Sequence, residues 1–125
     1  MIPYPPHAKP KPSKYRNQRT EHDGILYDSR KEAKRAQELD LLKQAGQIRG
    51  WTRQVKFRLG CPENVCVIDF LVFATDGTVW AEDTKGKETS KFVRDKKLWR
   101  RYGPCPLHVL KGRRDSYVID PGGEE

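Results

Sequence analysis

Asp69, Asp83 and Lys85 are the residues of this chain whose types and spacing best suit joint chemistry. Asp83 and Lys85 belong to the triplet Asp83-Thr84-Lys85, fourteen residues after Asp69. The triplet ends a run, Thr78 to Lys85, that reads as a β-strand. Side chains two apart on a strand share a face, so Asp83 and Lys85 point the same way. Asp69 interrupts an apolar strand that runs from Val65 to Phe73. Thr75-Asp76-Gly77-Thr78 separates the two strands, and Asp-Gly is a strong hairpin signal. The hairpin predicts two carboxylates and one ammonium clustered on one face. Carboxylate oxygens suit a hard divalent cation such as Mg²⁺, and a metal beside a lysine suits hydrolysis of a phosphodiester.

Each of these residues also has a bland reading. A buried, unpaired carboxylate at Asp69 is costly, so it needs a cation, a lysine or several donors; a salt bridge to Lys85 alone would serve. Lys85 could orient or deprotonate a water, hold a phosphate, or simply end a strand in solvent. Thr84 offers a backbone carbonyl to a metal. Glu82 points to the other sheet face and is the weaker ligand candidate unless a bulge swaps the two.

Glu32 has two readings as well. Ser29-x-x-Glu32 is a capping-box pattern, in which Glu32 reaches back to the Ser29 N–H. Helical spacing also puts Glu32 on one face with Ala36 and Leu39, flanked by Leu42. That stripe should face the sheet, which makes Glu32 an inward carboxylate near the metal.

The elements that must position these groups follow from pattern. Thr20 to Tyr27 reads as a small hairpin turning at Asp23-Gly24. A helix starts at Ser29 and runs to about Ala45, with Gly46 as its C-cap. Thr52 to Leu59 alternates, with Val55, Phe57 and Leu59 on one face and Gln54, Lys56 and Arg58 on the other. The Val65 strand is apolar on both faces and should be central. Thr89 or Ser90 caps a second helix that ends before Gly103-Pro104. Phe92, Leu98, Trp99 and Tyr102 fall on its apolar arc, opposite Arg94, Lys97 and Arg101. Leu107 to Leu110 and Ser116 to Ile119 read as short strands. The order is helix, three strands, helix, strand.

The second helix offers Lys91, Arg94, Lys96, Lys97, Arg100 and Arg101, and Lys87 and Lys56 extend the patch. Such cations give affinity and register on a phosphate backbone but no sequence information. Gln54 is a weaker candidate for a polar contact at the site. The whole chain points the same way. With 125 residues it is about one domain, and its net charge of +8 favours a polyanionic partner. Residues 1–19 hold five prolines and no acid, and read as an extended basic arm. Residues 20–120 are then the folded domain and 121–125 a loose end.

Nothing in the sequence reads as a signal peptide or a membrane span, so a cytoplasmic protein is expected. Cys61, Cys66 and Cys105 should remain thiols; a Cys₃His zinc site with His108 is the sharper alternative.

Glu32, Asp69 and Asp83-Thr84-Lys85, on helix, strand and strand, resemble the PD-(D/E)XK nuclease superfamily with its restriction-endonuclease-like fold. The stretches that carry the likeness are Tyr27-Asp28-Ser29-Arg30-Lys31-Glu32, Ile68-Asp69-Phe70 and Glu82-Asp83-Thr84-Lys85-Gly86, within about residues 20–110. More narrowly, the chain is similar to small phage-encoded endonucleases that cut branched DNA. Ile68 stands where the name-giving motif has proline. The resemblance implies an α/β fold with an αβββαβ core, a mixed sheet and flanking helices. It implies Mg²⁺- or Mn²⁺-dependent DNA hydrolysis, with Asp69 and Asp83 on the metal, Lys85 assisting the water and Glu32 completing the site. A Holliday-junction resolvase of this kind would act as a homodimer, because it cuts two strands symmetrically. Two other classes compete: a non-catalytic nucleic-acid-binding module on the same fold, and a small basic protein that bridges other proteins.

Overall fold

The computed structural model describes residues 19–112 and 115–122. The basic arm expected over 1–19 therefore lies outside the described residues except for Arg19, and so does the end of the chain from 123. The chain divides into two compact units, Met1–Leu41 and Leu42–Glu125.

In the first unit, β1 (Thr20–His22) pairs antiparallel with β2 (Ile25–Tyr27). Asp23 and Gly24 turn the hairpin with φ of 53° and 78°, the paired positive values that a type I′ turn needs. Helix α1 (Arg30–Gln44) starts where the capping box predicts. Ser29 Oγ accepts the Glu32 N–H at 3.2 Å. Ala36 and Leu39 of the expected stripe are buried, with Ala33 beside them, while Glu32 and Leu42 are half-buried. His22 Nε2 meets Asp40 Oδ2 at 2.8 Å, which ties the hairpin to α1. The helix crosses the boundary between the units and stops at Gly46, whose φ of +76° is the left-handed C-cap value.

The second unit is a mixed five-stranded sheet with one helix packed on it. Its elements are β3 (Ile48–Arg58), β4 (Val65–Ala74), β5 (Val79–Thr84), α2 (Ser90–Tyr102), β6 (Leu107–Leu110) and β7 (Tyr117–Ile119). The strands lie in the order β3-β4-β5-β6-β7, antiparallel except for the parallel pair β5–β6. The chain is thus α/β, and from α1 to β6 its elements follow the expected order. The parallel pair demands a crossover, and α2 supplies it. Phe92 and Trp99 of α2 join Cys66, Ile68, Ala81, Leu107, Val109 and Ile119 in one buried core.

Three details differ from expectation. Strand β3 begins at Ile48 rather than Thr52, because a register shift between Ile48 and Gly50 absorbs the glycine. Strand β4 is interior but second in the sheet, and Val67 and Phe73 are exposed. Tyr102 leaves the buried arc of α2 and is 48% exposed. Its ring lies against Gly60, where a Cβ would come within 2.6 Å of it. Thr89 is the N-cap of α2, its hydroxyl accepting the Phe92 N–H.

Candidate active site

Strands β4 and β5 pair from Phe73↔Val79 to Phe70↔Glu82, and the ladder stops there. Beyond it, β5 turns to β6, where the Lys85 N–H donates to the Leu110 carbonyl at 2.9 Å. The ladder is replaced at this point by carboxylates. Asp83 Oδ1 accepts the Asp69 N–H at 3.2 Å. Asp69 Oδ2 accepts both the N–H and the hydroxyl of Thr84, each at 2.8 Å. Lys85 Nζ lies 2.9 Å from Asp83 Oδ2. The hairpin therefore assembles Asp69, Asp83 and Lys85 as their spacing predicts.

The electrostatics are those of an incompletely neutralised acid pair. Asp83 is only 2% exposed. Burial first, and then the charge of Asp69, push its carboxyl up to about 7 despite the neighbouring Lys85. Burial alone would lower the Lys85 ammonium, but the charge and hydrogen bond of Asp83 outweigh it and hold it above the ordinary lysine value. Lys85 is thus a cation at neutral pH.

Helix α2 supplies the other wall. The Lys85 ammonium sits 4.5 Å from the centre of the Phe92 ring. Cys66, buried on β4, lies near two acid–lysine pairs, Asp83–Lys85 and Asp95–Lys91. Burial, then Asp95 and Asp83, push its thiol up to about 12. Asp95 is itself 6% exposed and bonds Lys91 Nζ at 2.7 Å. Lys91 also donates to the Val65 carbonyl, which pins the start of α2 to the start of β4. The spacing of Lys91 and Asp95, one helical turn, is the signal that could have identified this pair from sequence.

Gln54 stands opposite Asp69, between the registered pairs Arg53↔Phe70 and Val55↔Ile68. Its φ is 54°, in the left-handed region that non-glycine residues rarely adopt. The face of β4 that meets the α2 core changes at the same place, although Phe70 and Val72 are also buried. Cys66 and Ile68 lie in the core with Trp99, whereas farther along it is Leu71, not Phe70 or Val72, that packs against that core. The break in alternation coincides with Asp69. No sequence pattern signals a left-handed glutamine inside a strand.

Cations collect at this end of the sheet because four strand termini meet there. Arg58 and Val65 are paired at the β3–β4 end, and Lys91 bonds to Val65. Lys85 and Lys87 follow β5, and Lys111 follows β6, its parallel neighbour. Lys56 is exposed beside Val67. Arg94, Lys97 and Arg101 are exposed along α2, which leads away from this end: the Arg100 carbonyl accepts the Gly122 N–H near the start of β6. Arg58 and Lys111 belong to this rim and were not singled out by type or spacing alone.

Glu82, the weaker ligand candidate, is placed elsewhere. Glu82 is buried on the opposite face and accepts the Trp80 indole N–H at 2.8 Å. Glu32 belongs to the first unit, where its carboxylate is 3.5 Å from the Ser29 hydroxyl. Among the described residues no three His, Cys, Asp or Glu side chains form a metal-holding group. Cys61, Cys66, Cys105 and His108 are therefore not gathered as a zinc site. The acid pair still fits a hard cation, because Mg²⁺ takes one or two carboxylates and completes its shell with water and phosphate. No helix among the described residues is long and apolar enough to cross a membrane.

The chain belongs to the family described as protein of unknown function (DUF1064), whose model matches residues 12–112. No curated protein and no solved structure matches it significantly.

Proposed function

We propose that this DUF1064 chain is a divalent-metal-dependent DNA endonuclease, with Asp69, Asp83 and Lys85 at its centre. The observation that carries this reading is the cross-bonded Asp69–Asp83 pair with Lys85 at 2.9 Å, set among the cations at one end of the sheet. The element order, the mixed sheet and the likeness to PD-(D/E)XK nucleases support the same fold class. Branched DNA as the preferred substrate, and a dimer that cuts it symmetrically, belong to the same proposal.

In hydrolysis a water oxygen bonds to phosphorus while one P–O ester bond breaks. The water loses a proton, and the departing oxygen gains one. Mg²⁺ or Mn²⁺ held by Asp69 and Asp83 would supply charge neutralisation at the phosphate. Lys85, as a cation, stabilises charge that develops on the phosphate rather than acting as a base. The Asp69 backbone and Thr84 fix both carboxylates, so their oxygens need little reorganisation. Arg58, Lys87, Lys91 and Arg94 hold the flanking phosphates.

A second reading, a non-catalytic nucleic-acid-binding module, draws on one observation. Both Asp83 oxygens already accept internal donors, the Asp69 N–H and Lys85. Cleavage of four-way-junction, flap and linear duplex DNA separates the two readings. In Mg²⁺ the wild type should cut, EDTA should abolish cutting, and Asp83→Ala should lower the rate by about a hundredfold or more while still binding DNA. Binding without cutting on every substrate would support the second reading.

A further inference from the structure

We infer that Phe92 is a positioning residue for Lys85, its ring forming the seat that holds the Lys85 ammonium against Asp83. The inference rests on the proposed nuclease reading for its catalytic meaning, but the seat itself is a matter of geometry. Phe92 is 4% exposed and sits in the first turn of α2, with its N–H held by Thr89 Oγ1 at 3.2 Å. Lys85 Nζ lies 4.5 Å from its ring centre and 2.9 Å from Asp83 Oδ2. The cation is thus confined between a carboxylate and a π-face. A flexible four-carbon stem would otherwise let it wander.

The ring is held by a second cation. Lys96, one helical turn after Phe92, places its Nζ 5.6 Å from the same ring centre. Lys96 also bonds Glu88 at 2.5 Å and the Tyr117 hydroxyl at 3.0 Å, and Tyr117 donates to Glu88. Lys111 lies 3.4 Å from the same carboxylate. Glu88 stands three residues after Lys85 in the loop that leads to α2. The cluster therefore fixes both the loop that carries Lys85 and the ring against which it rests. A buried phenylalanine on a helix would be core and nothing more if only apolar groups touched it. Here two ammonium groups share its ring.

The test uses the full chain and begins without catalysis. A proton seated over an aromatic face resonates upfield, so the Lys85 ε-methylene protons should be displaced relative to those of Lys87. Phe92→Leu should abolish that displacement, and Phe92→Tyr should keep it. If Phe92→Leu does not fold, Phe92→Met removes the ring with a side chain of similar volume. In single-turnover cleavage with Mg²⁺, Phe92→Leu should slow the chemical step about three- to thirtyfold, with DNA affinity unchanged and activity restored in Phe92→Tyr.

Undisplaced Lys85 protons in the wild type would overturn the seat. A displaced signal with equal cleavage rates in wild type and Phe92→Leu would overturn the positioning role. A displaced signal in a wild type that cuts no DNA would leave the seat standing and remove the nuclease reading beneath it.

Discussion

Asp69 and Asp83 hold each other by the backbone: Asp83 accepts the Asp69 N–H, and Asp69 accepts the N–H of Thr84, the residue after Asp83. Neither carboxylate can swing away without breaking a bond to the other's strand. Two like charges are thereby kept adjacent in a buried place, with one lysine to offset them.

That enforced proximity predicts how stability varies with pH. The Asp83 carboxyl is raised to about 7, above its ordinary value near 3.8, by burial and by Asp69. A raised acid holds its proton in the folded state after the unfolded chain has lost it. Its favourable contribution is complete below about pH 4 and disappears as pH rises through about 7. Metal-free protein should lose stability over that window, on the order of a few kcal/mol at most. Mg²⁺ should restore it at pH 8 and do little at pH 4. Asp83→Asn should flatten the metal-free profile. Thermal melting in EDTA and in Mg²⁺ across this range checks all three; parallel profiles for wild type and Asp83→Asn would sink the idea.

Glu82 provides the matching control, because it neighbours Asp83 in sequence and faces away from it. Its carboxylate serves the Trp80 indole, and Trp80 stacks on His108 with ring centres 5.7 Å apart. Glu82→Ala leaves the indole N–H without that acceptor and should cost about 1–3 kcal/mol. The shift in melting temperature caused by Mg²⁺ should survive. Asp69→Ala and Asp83→Ala should each abolish that shift. Loss of the metal response in Glu82→Ala, with its fold intact, would reassign the ligand.

Much of this arrangement was legible in the sequence, for physical reasons. Asp76-Gly77 and Asp23-Gly24 dictate their hairpins, and Gly77 has φ +93°. Ser29 and Gly46 fix the start and stop of α1. The two-residue period then puts Asp83 and Lys85 on one face. What was not legible depends on contacts between elements distant in the chain. Asp95 is a single acid on a basic helix, yet it is buried and holds Lys91, which bonds to β4. Tyr102 has the spacing of a core residue, but the end of α2 turns it onto Gly60. Phe92 was recognisable as buried, but not as the surface on which two lysines rest.

The left-handed Gln54 invites a direct test of strain. A residue with a Cβ costs roughly 1–3 kcal/mol in such a region, and a β-branched one suits it least. Gln54→Gly should therefore be as stable as the wild type or more so. Gln54→Val should lose about 1–3 kcal/mol. Urea unfolding measures both. If the valine variant matches the glycine variant, the conformation is not strained, and the break in β4 at Asp69 needs another cause.

The cationic rim predicts a salt dependence that can be divided by position. Each lysine or arginine that meets a phosphate releases counterions, so the logarithm of the binding constant falls with the logarithm of salt by about 0.9 per contact on duplex DNA. Arg58 ends β3 beside Val65, and Lys87 follows β5, so both belong to the site end of the sheet. Arg49 lies exposed at the opposite end of β3. Arg58→Ala and Lys87→Ala should each reduce the slope by about 1, on any DNA sequence, whereas Arg49→Ala should leave it unchanged. Removing residues 1–19, which hold five of the basic residues and no acid, should weaken binding and lower the slope further. Equal slopes for Arg49→Ala and Arg58→Ala would mean that the charge acts through the whole molecule rather than through this end of the sheet. An unchanged slope after removal of 1–19 would mean that the arm does not touch phosphate.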